Sequence, residues 1–171
     1  MLGATRDLGA DPRSRAAAGD RPLHAAETIH TQGCSIVLRR VAGPAAREIF
    51  LHCQPPPEVT DPAEQAAAIY RAILVTLDAE GGSYEHVVAE TLFLRDLHQS
   101  LAQVREARGW ALDAWDVTEH SPATLEIEQP PLDERAWLEV SLHALVPHAS
   151  PLRVLPVVAR PDTGTGAHGL L

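Results

Sequence analysis

The stretch LEVSLHALV, residues 138–146, alternates apolar and polar side chains and so predicts a β-strand with two unlike faces. One face carries apolar residues only: Leu138, Val140, Leu142 and Ala144. The other face carries a carboxylate, a hydroxyl and an imidazole: Glu139, Ser141 and His143. Because helices pack on the apolar face, the polar face must meet solvent or another subunit. The strand therefore predicts a sheet with helices on one side and a polar surface on the other.

A helix and two short strands are predicted upstream. The strands are SIVLRRV (35–41) and REIFLHCQ (47–54), and the triple proline at 55–57 ends the second because proline lacks a ladder donor. DPAEQAAAIYRAILVTLDAEGG (61–82) then predicts a helix with Asp61 as its N-cap. Its apolar residues recur at steps of three and four, which gives one face for packing on the sheet.

The rest of the chain predicts one more helix and three more strands. They are VVAETLFLRD (87–96), the helix LHQSLAQVREAR (97–108), PATLEIEQ (122–129) and AWLEVSLHALVP (136–147). The order is β-β-α-β-α-β-β, which predicts an α+β fold with one mixed sheet and both helices on one face. We predict one domain over residues 29–147, with flexible tails at 1–28 and 148–171.

Composition excludes several classes of function. The chain has 171 residues and no Lys, so it forms no Schiff base through its own lysine. Residues 29–147 hold 8 Arg against 18 Asp and Glu, and this acidic surface predicts no binding to nucleic acid. No apolar run has membrane-spanning length and the first residues lack a secretory pattern, so we expect a cytoplasmic protein without membrane association. Cys34 and Cys53 fit no metal-binding spacing, and we expect free thiols.

Over residues 35–147 the sequence resembles the YjgF/RidA family of imine and enamine deaminases. The matching segments are IFLHCQ before a proline-rich loop, QAAAIYRAILVTLDAEGG, VVAETLFLRDL, SPATLEIE and LEVSLHAL. The family closes with Pro-Ala-Arg, a strand, and a Glu-Ile or Glu-Met pair. Here Pro122-Ala123-Thr124 is followed fifteen residues later by Glu139-Val140, which matches the family spacing.

The resemblance implies a chorismate-mutase-like fold and a homotrimer. In such a trimer the helix-free sheet faces form a central barrel, and small-molecule ligands bind in clefts between subunits. The family arginine binds the substrate carboxylate, and the family glutamate positions or activates the water that hydrolyses the imine. Glu139 occupies the glutamate position, Thr124 occupies the arginine position, and Glu126 replaces a small residue two positions later.

The loss of the arginine changes the chemistry that the resemblance implies. A guanidinium makes two charge-assisted hydrogen bonds to a carboxylate, each worth about 1.5 to 3 kcal/mol, whereas threonine offers one neutral hydroxyl. With Glu126 added, the cleft is expected to be acidic and to suit a neutral or cationic ligand. We therefore predict a protein that has diverged from imine deamination. A true deaminase with a different carboxylate clamp, such as Arg40, Arg95 or Arg135 of a neighbouring subunit, is an alternative.

Eight residues are the candidates for the site. The candidate catalytic residues for hydrolysis or isomerisation are Glu139, Glu126 and His52, and the candidate ligand-binding residues are Thr124, Cys53, Gln54, Ser141 and His143. Glu126 and Glu139 on adjacent strands would form an acid and base pair, and His52, where the family has serine, would carry protons. Other interpretations remain open: arginine-paired glutamates, a histidine hydrogen-bonded at a strand end, and a binding protein without catalysis.

The spacing of the polar residues bears on two further kinds of site, a serine triad and a metal site. Glu139 and Ser141 have Cα atoms about 6.6 to 7 Å apart with parallel side chains, so a serine triad with His143 is not expected. A metal site at His52, Glu126, Glu139 and His143 would require these ligands to converge. No helical His-x-x-x-His spacing supports such a site, and we predict no metal and no cofactor.

Overall fold

The protein forms a six-stranded mixed sheet with two helices, which confirms the predicted α+β fold. The computed structural model describes residues 26–117 and 120–148. Its strands are β1 (Ala26–Thr31), β2 (Cys34–Ala42), β3 (Ala46–Gln54), β4 (Val87–Leu94), β5 (Ala123–Glu128) and β6 (Leu138–Pro147). The helices are α1 (Pro62–Ala79) and α2 (Leu97–Asp113), and a short 3-10 turn covers Tyr84–His86. Almost all of the two predicted tails lies outside the described residues.

Strand β1 is absent from the sequence-based prediction. It pairs antiparallel with β2, and residues 26–28, assigned above to the first tail, belong to it. The two strands are joined at Gln32 and Gly33, which both have positive φ, as a tight hairpin turn requires. The segment AETIHT gives a weak strand signal because Ile29 is its only large apolar residue. An edge strand can have such a sequence because it buries little surface.

The strand order is β1-β2-β3-β6-β4-β5, so β6, the last of the described strands, lies inside the sheet. All neighbours are antiparallel except β4 and β5, which run parallel because α2 connects them as a crossover. We predicted that the strands containing Glu126 and Glu139 are neighbours, and this is wrong because β4 lies between them. The helices cover one sheet face, and the opposite face, here called the open face, carries none of the described helices.

The predicted alternation of β6 is confirmed. Its apolar residues are buried on the helix side: Leu138, Val140, Leu142 and Ala144. The start of α1 also follows the prediction, since the Asp61 carboxylate accepts a hydrogen bond from the Glu64 amide at 2.9 Å and Pro62 opens the helix. Among the described residues, no helix combines the length and apolar character needed to cross a bilayer.

Candidate functional site

A row of four side chains crosses the middle of the open face. Val37 on β2 pairs with His52 on β3, His52 pairs with Ser141 on β6, and Ser141 pairs with Thr91 on β4. Directly paired residues lie on the same side of a sheet, so pairing alone brings His52 and Ser141 together. Glu139 lies two residues before Ser141 on β6 and therefore shares the same face.

His52 contacts both Ser141 and Glu139. Its Nδ1 is 2.9 Å from the Ser141 Oγ, and its Nε2 is 3.3 Å from Oε2 of Glu139. The other carboxylate oxygen of Glu139 accepts hydrogen bonds from Gln54 Nε2 at 3.2 Å and from the Leu132 amide at 3.3 Å. Four of the predicted site residues thus form one connected group, here called the His52 cluster: His52, Gln54, Glu139 and Ser141.

The position of Glu139 bears on which imidazole nitrogen carries a hydrogen. Because a carboxylate oxygen accepts hydrogen bonds, the contact with Glu139 favours a hydrogen on Nε2. In the tautomer with that hydrogen alone, Nδ1 can accept the hydrogen of the Ser141 hydroxyl. Glu139 is only 5% exposed, whereas the His52 side chain retains 34% exposure, so the imidazole connects a buried carboxylate with the surface. This arrangement can move a proton between the open face and a fixed negative charge.

Two depressions border the His52 cluster. The first, of about 360 Å³, lies on the open face and includes Arg39, His52, Thr91 and Ser141 in its lining. The second, of about 510 Å³, lies at the end of β3, where Gln54, the triple proline and Arg135 contribute to its wall. Glu139 accepts a hydrogen bond from Gln54 of the second depression and lies 3.3 Å from His52 of the first, so a ligand in either one would lie near the carboxylate.

His143 lies on the open face but belongs to a different set of contacts. Its Nε2 is 3.0 Å from Oε2 of Glu48, and its ring stacks on Phe50 with centroids 4.4 Å apart and planes within 7°. Phe50 and His143 both line the first depression. The structure therefore places His143 in the wall of the depression, one row away from Ser141.

Glu126 and Thr124 lie on the opposite side of the sheet from Glu139. They pair in register with Leu92 and Glu90, which are buried on the helix side. Glu126 accepts two hydrogen bonds from Arg105 of α2, at 2.7 and 2.6 Å. The predicted acid and base pair of Glu126 with Glu139 is therefore wrong, because the register of the parallel pair directs Glu126 towards the helices. The alternative of an arginine-paired glutamate describes Glu126 instead.

Thr124 takes part in a buried polar network around Glu90 that is absent from the prediction. The Glu90 carboxylate accepts hydrogen bonds from Thr124 at 3.0 Å, Tyr70 at 3.2 Å and Tyr84 at 2.6 Å, and lies 2.6 Å from the Arg108 guanidinium. Burial and the nearby Glu90 raise the pKa of both tyrosines, so their hydroxyls stay protonated and donate. A glutamate within the apolar run VVAETLFL is the signal that could have identified this network.

Cys53 points into the core and away from both depressions. Because His52 and Gln54 lie on the open face, strand alternation turns the residue between them towards the helices, where it is fully buried. Burial raises the pKa of the Cys53 thiol, and it raises that of Cys34 to about 11. The Cys53 thiol therefore lines neither depression, and a ligand-binding role for the backbone of this segment stays a prediction. Both thiols are free, and neither is activated as a nucleophile.

The convergence required for a metal site at His52, Glu126, Glu139 and His143 does not occur, since Glu126 is on the other face. Within 26–117 and 120–148, no group of three or more acidic, histidine or cysteine residues could hold an ion.

Among the arginines considered as a replacement clamp, Arg40 pairs with Glu27 and Glu80 on the helix side, both at 2.7 Å. Arg135 pairs with Asp133, and Arg95 donates to backbone carbonyls of the loop before β6. Arg39 differs from these, since its side chain has no hydrogen bond or ion pair in the described part of the chain.

Comparison with solved structures identifies the architecture. A YjgF-family protein from Neisseria meningitidis shares 25% identity with this chain at a TM-score of 0.53, over 64% of this chain and 87% of that protein. The chain has the YjgF fold. A candidate translation initiation inhibitor from Salmonella typhimurium shares 21% identity at a TM-score of 0.50, over 71% of this chain and 98% of that protein.

A candidate endoribonuclease from Thermotoga maritima shares 20% identity at a TM-score of 0.50, over 62% of this chain and 83% of that protein. At these identities the Salmonella and Thermotoga proteins share the YjgF fold with this chain, and nothing more is drawn from them. No family model matches the sequence, and no curated protein matches it.

Proposed function

We propose that this chain is a cytoplasmic, homotrimeric member of the YjgF/RidA family that hydrolyses or isomerises a small molecule and has diverged from imine deamination. One observation carries the chemical part of the proposal: His52 lies between the carboxylate of Glu139 and the hydroxyl of Ser141, beside a depression of about 360 Å³. The fold and the sequence resemblance support the family assignment.

The trimer is supported by the open face itself. Large apolar side chains remain exposed there, including Val37 at 41%, Phe50 at 37% and Leu125 at 56%. Single exposed apolar residues are ordinary, but these share one face of a sheet. Their burial against neighbouring subunits would also enclose the first depression. Exclusion of bulk water from the depression, apart from the molecule that reacts, would strengthen the electrostatic interactions of Glu139 and His52.

In the proposed reaction, His52 and Glu139 act together as a general base. A water or substrate hydrogen passes to Nδ1 of His52, and the resulting imidazolium is stabilised by Glu139 at 3.3 Å. Gln54 and the Leu132 amide hold the carboxylate in place, so the charge is fixed before reaction. The proton can then be returned to the leaving group, which completes either a hydrolysis or a proton shift.

The structure removes the reason for expecting a neutral or cationic ligand. Glu126 was the reason for expecting an acidic cleft, and it is paired with Arg105 on the other face. Arg39, in contrast, lines the first depression.

The alternative function is a binding protein that keeps the trimer without turnover. This alternative is favoured by the absence of the family arginine at Thr124, whose hydroxyl is engaged by Glu90.

A panel of aryl esters, lactones, enamines and imines tests the proposal. Glu139→Gln and His52→Gln are each expected to lower turnover of the accepted substrate by about 10²- to 10⁴-fold, because each removes part of the general base. Glu48→Gln is the matched control, since Glu48 is also a carboxylate beside a histidine nitrogen on the open face. Turnover that is equal in all four proteins would reject the base, and ligand binding without any turnover would establish the binding protein.

Imino acids are expected to be poor substrates. Thr124 offers one hydroxyl, already donated to Glu90, where the family has a guanidinium for the substrate carboxylate. The measurement is release of the keto acid from 2-aminoacrylate generated by a serine dehydratase, compared with a YjgF/RidA deaminase that carries the arginine. Equal rates would show that another residue has replaced the clamp.

A further inference from the structure

Glu139 and Ser141 are too far apart along β6 for a direct hydrogen bond, but an imidazole placed between them can contact both. Glu139 and Ser141 lie on the same strand face, about 6.6 to 7 Å apart at their Cα atoms. His52 enters from the neighbouring strand β3, and its ring contacts Ser141 through Nδ1 and Glu139 through Nε2. A serine, a histidine and a carboxylate are thus connected in series, and the histidine comes from a strand that spacing along β6 does not reveal.

We propose that Ser141 is a nucleophile that takes an acyl group from an ester or a similarly activated acyl compound. This inference rests on the proposed function, because it uses His52 and Glu139 as the base. Three features support it: Ser141 is hydrogen-bonded to an imidazole nitrogen, the imidazole is backed by a buried carboxylate, and the hydroxyl lines an open depression. Together they are the nucleophile, base and orienting group of an acyl-transfer site.

Two side chains that line the same depression as Ser141 can receive the charge that develops on an acyl oxygen. Thr91 is the cross-strand partner of Ser141 on β4, opposite to His52, and Arg39 lies on β2 in the neighbouring row. Both line the first depression, and within the described residues neither side chain has a hydrogen bond or ion pair. Their donors are therefore available to an oxyanion or to an acidic group of the acyl compound.

The covalent step balances without any co-reactant other than water. Oγ of Ser141 bonds to the acyl carbon as its hydrogen passes to Nδ1 of His52. The bond from the acyl carbon to the leaving group then breaks, and the leaving group departs with that proton. Water attacks the acyl-serine in the same way, which releases the carboxylic acid and restores the hydroxyl and the neutral imidazole.

Labelling with an alkyl fluorophosphonate tests this assignment. In this probe Oγ replaces fluoride at phosphorus, and the adduct is located by mass spectrometry of the intact protein and its peptides. One adduct per chain on the peptide with Ser141 is expected, with loss of labelling in Ser141→Ala. His52→Gln is expected to slow labelling about a hundredfold or more. Ser83→Ala is the matched control, because Ser83 also lies beside a histidine nitrogen, at 3.3 Å from His86, and should label as the wild type does.

A folded wild-type protein that gains no adduct, or gains one that persists in Ser141→Ala, would overturn the assignment. Hydrolysis of p-nitrophenyl acetate separates this outcome from failure of the proposed function. If Ser141→Ala keeps a His52-dependent rate, the base acts on water and only the covalent step is wrong. If neither His52→Gln nor Glu139→Gln changes hydrolysis or labelling, the general base itself is wrong, and with it the nucleophile that depends on it.

Discussion

Replacement of Glu90 by alanine is expected to lower the free energy of unfolding by about 3 to 5 kcal/mol, which is the usual cost of removing one partner of a buried ion pair. Glu90 is 2% exposed and accepts hydrogen bonds from two tyrosines and a threonine. Without it, the Arg108 guanidinium would keep a partly buried charge, and the tyrosine hydroxyls would lose their acceptor. Urea unfolding followed by circular dichroism measures the change.

Glu126→Ala is the control for Glu90→Ala. Glu126 is also a glutamate on the helix side of the sheet and also pairs with an arginine of α2, but its partner Arg105 is exposed. Exposed pairs contribute little to stability, so this substitution should change the unfolding midpoint far less. Equal losses for the two variants would show that the network around Glu90 is not the stabilising feature described here.

Replacement of Phe50 by arginine is expected to convert the proposed trimer into monomers. Phe50 lies near the middle of the open face, and a guanidinium there would have to lose its hydration against apolar side chains of the neighbouring subunits. Light scattering after size-exclusion chromatography gives the mass of each species at matched concentration.

The control for this substitution is Trp110→Arg, which places the same charge on an exposed tryptophan of α2, outside the open face. We expect it to keep the trimer. A wild-type protein that is monomeric, or a Phe50→Arg variant that keeps the trimer mass, would contradict the assembly. In that case the apolar residues of the open face would need another partner.

Local periodicity was sufficient to predict most of the elements. The alternation in LEVSLHALV and the three- and four-residue steps of α1 depend on residues close together in the chain, and both are confirmed. The edge strand β1 has little apolar surface to bury and gave no such signal. The pairing order of the strands depends on contacts between distant residues, which periodicity does not contain.

The site residues could be predicted from local patterns, but their convergence could not, because it depends on contacts between distant residues. His52, Gln54, Glu139 and Ser141 were all candidates from the sequence, but their convergence depends on the register of β3 against β6. Glu126 was paired with Glu139 because their strands follow each other in the chain, whereas β4 separates them in the sheet. Cys53 was assigned by resemblance to a motif, and strand alternation turned its side chain into the core.

The central position of β6 also sets the order in which this protein can become functional during synthesis. The last described strand of the chain must insert between β3 and β4, which are both made much earlier. Until residues 138–147 leave the ribosome, β3 and β4 each present an unpaired edge, and such edges attract other chains. Because Glu139 and Ser141 are on that strand, reactivity at Ser141 would report that folding is complete.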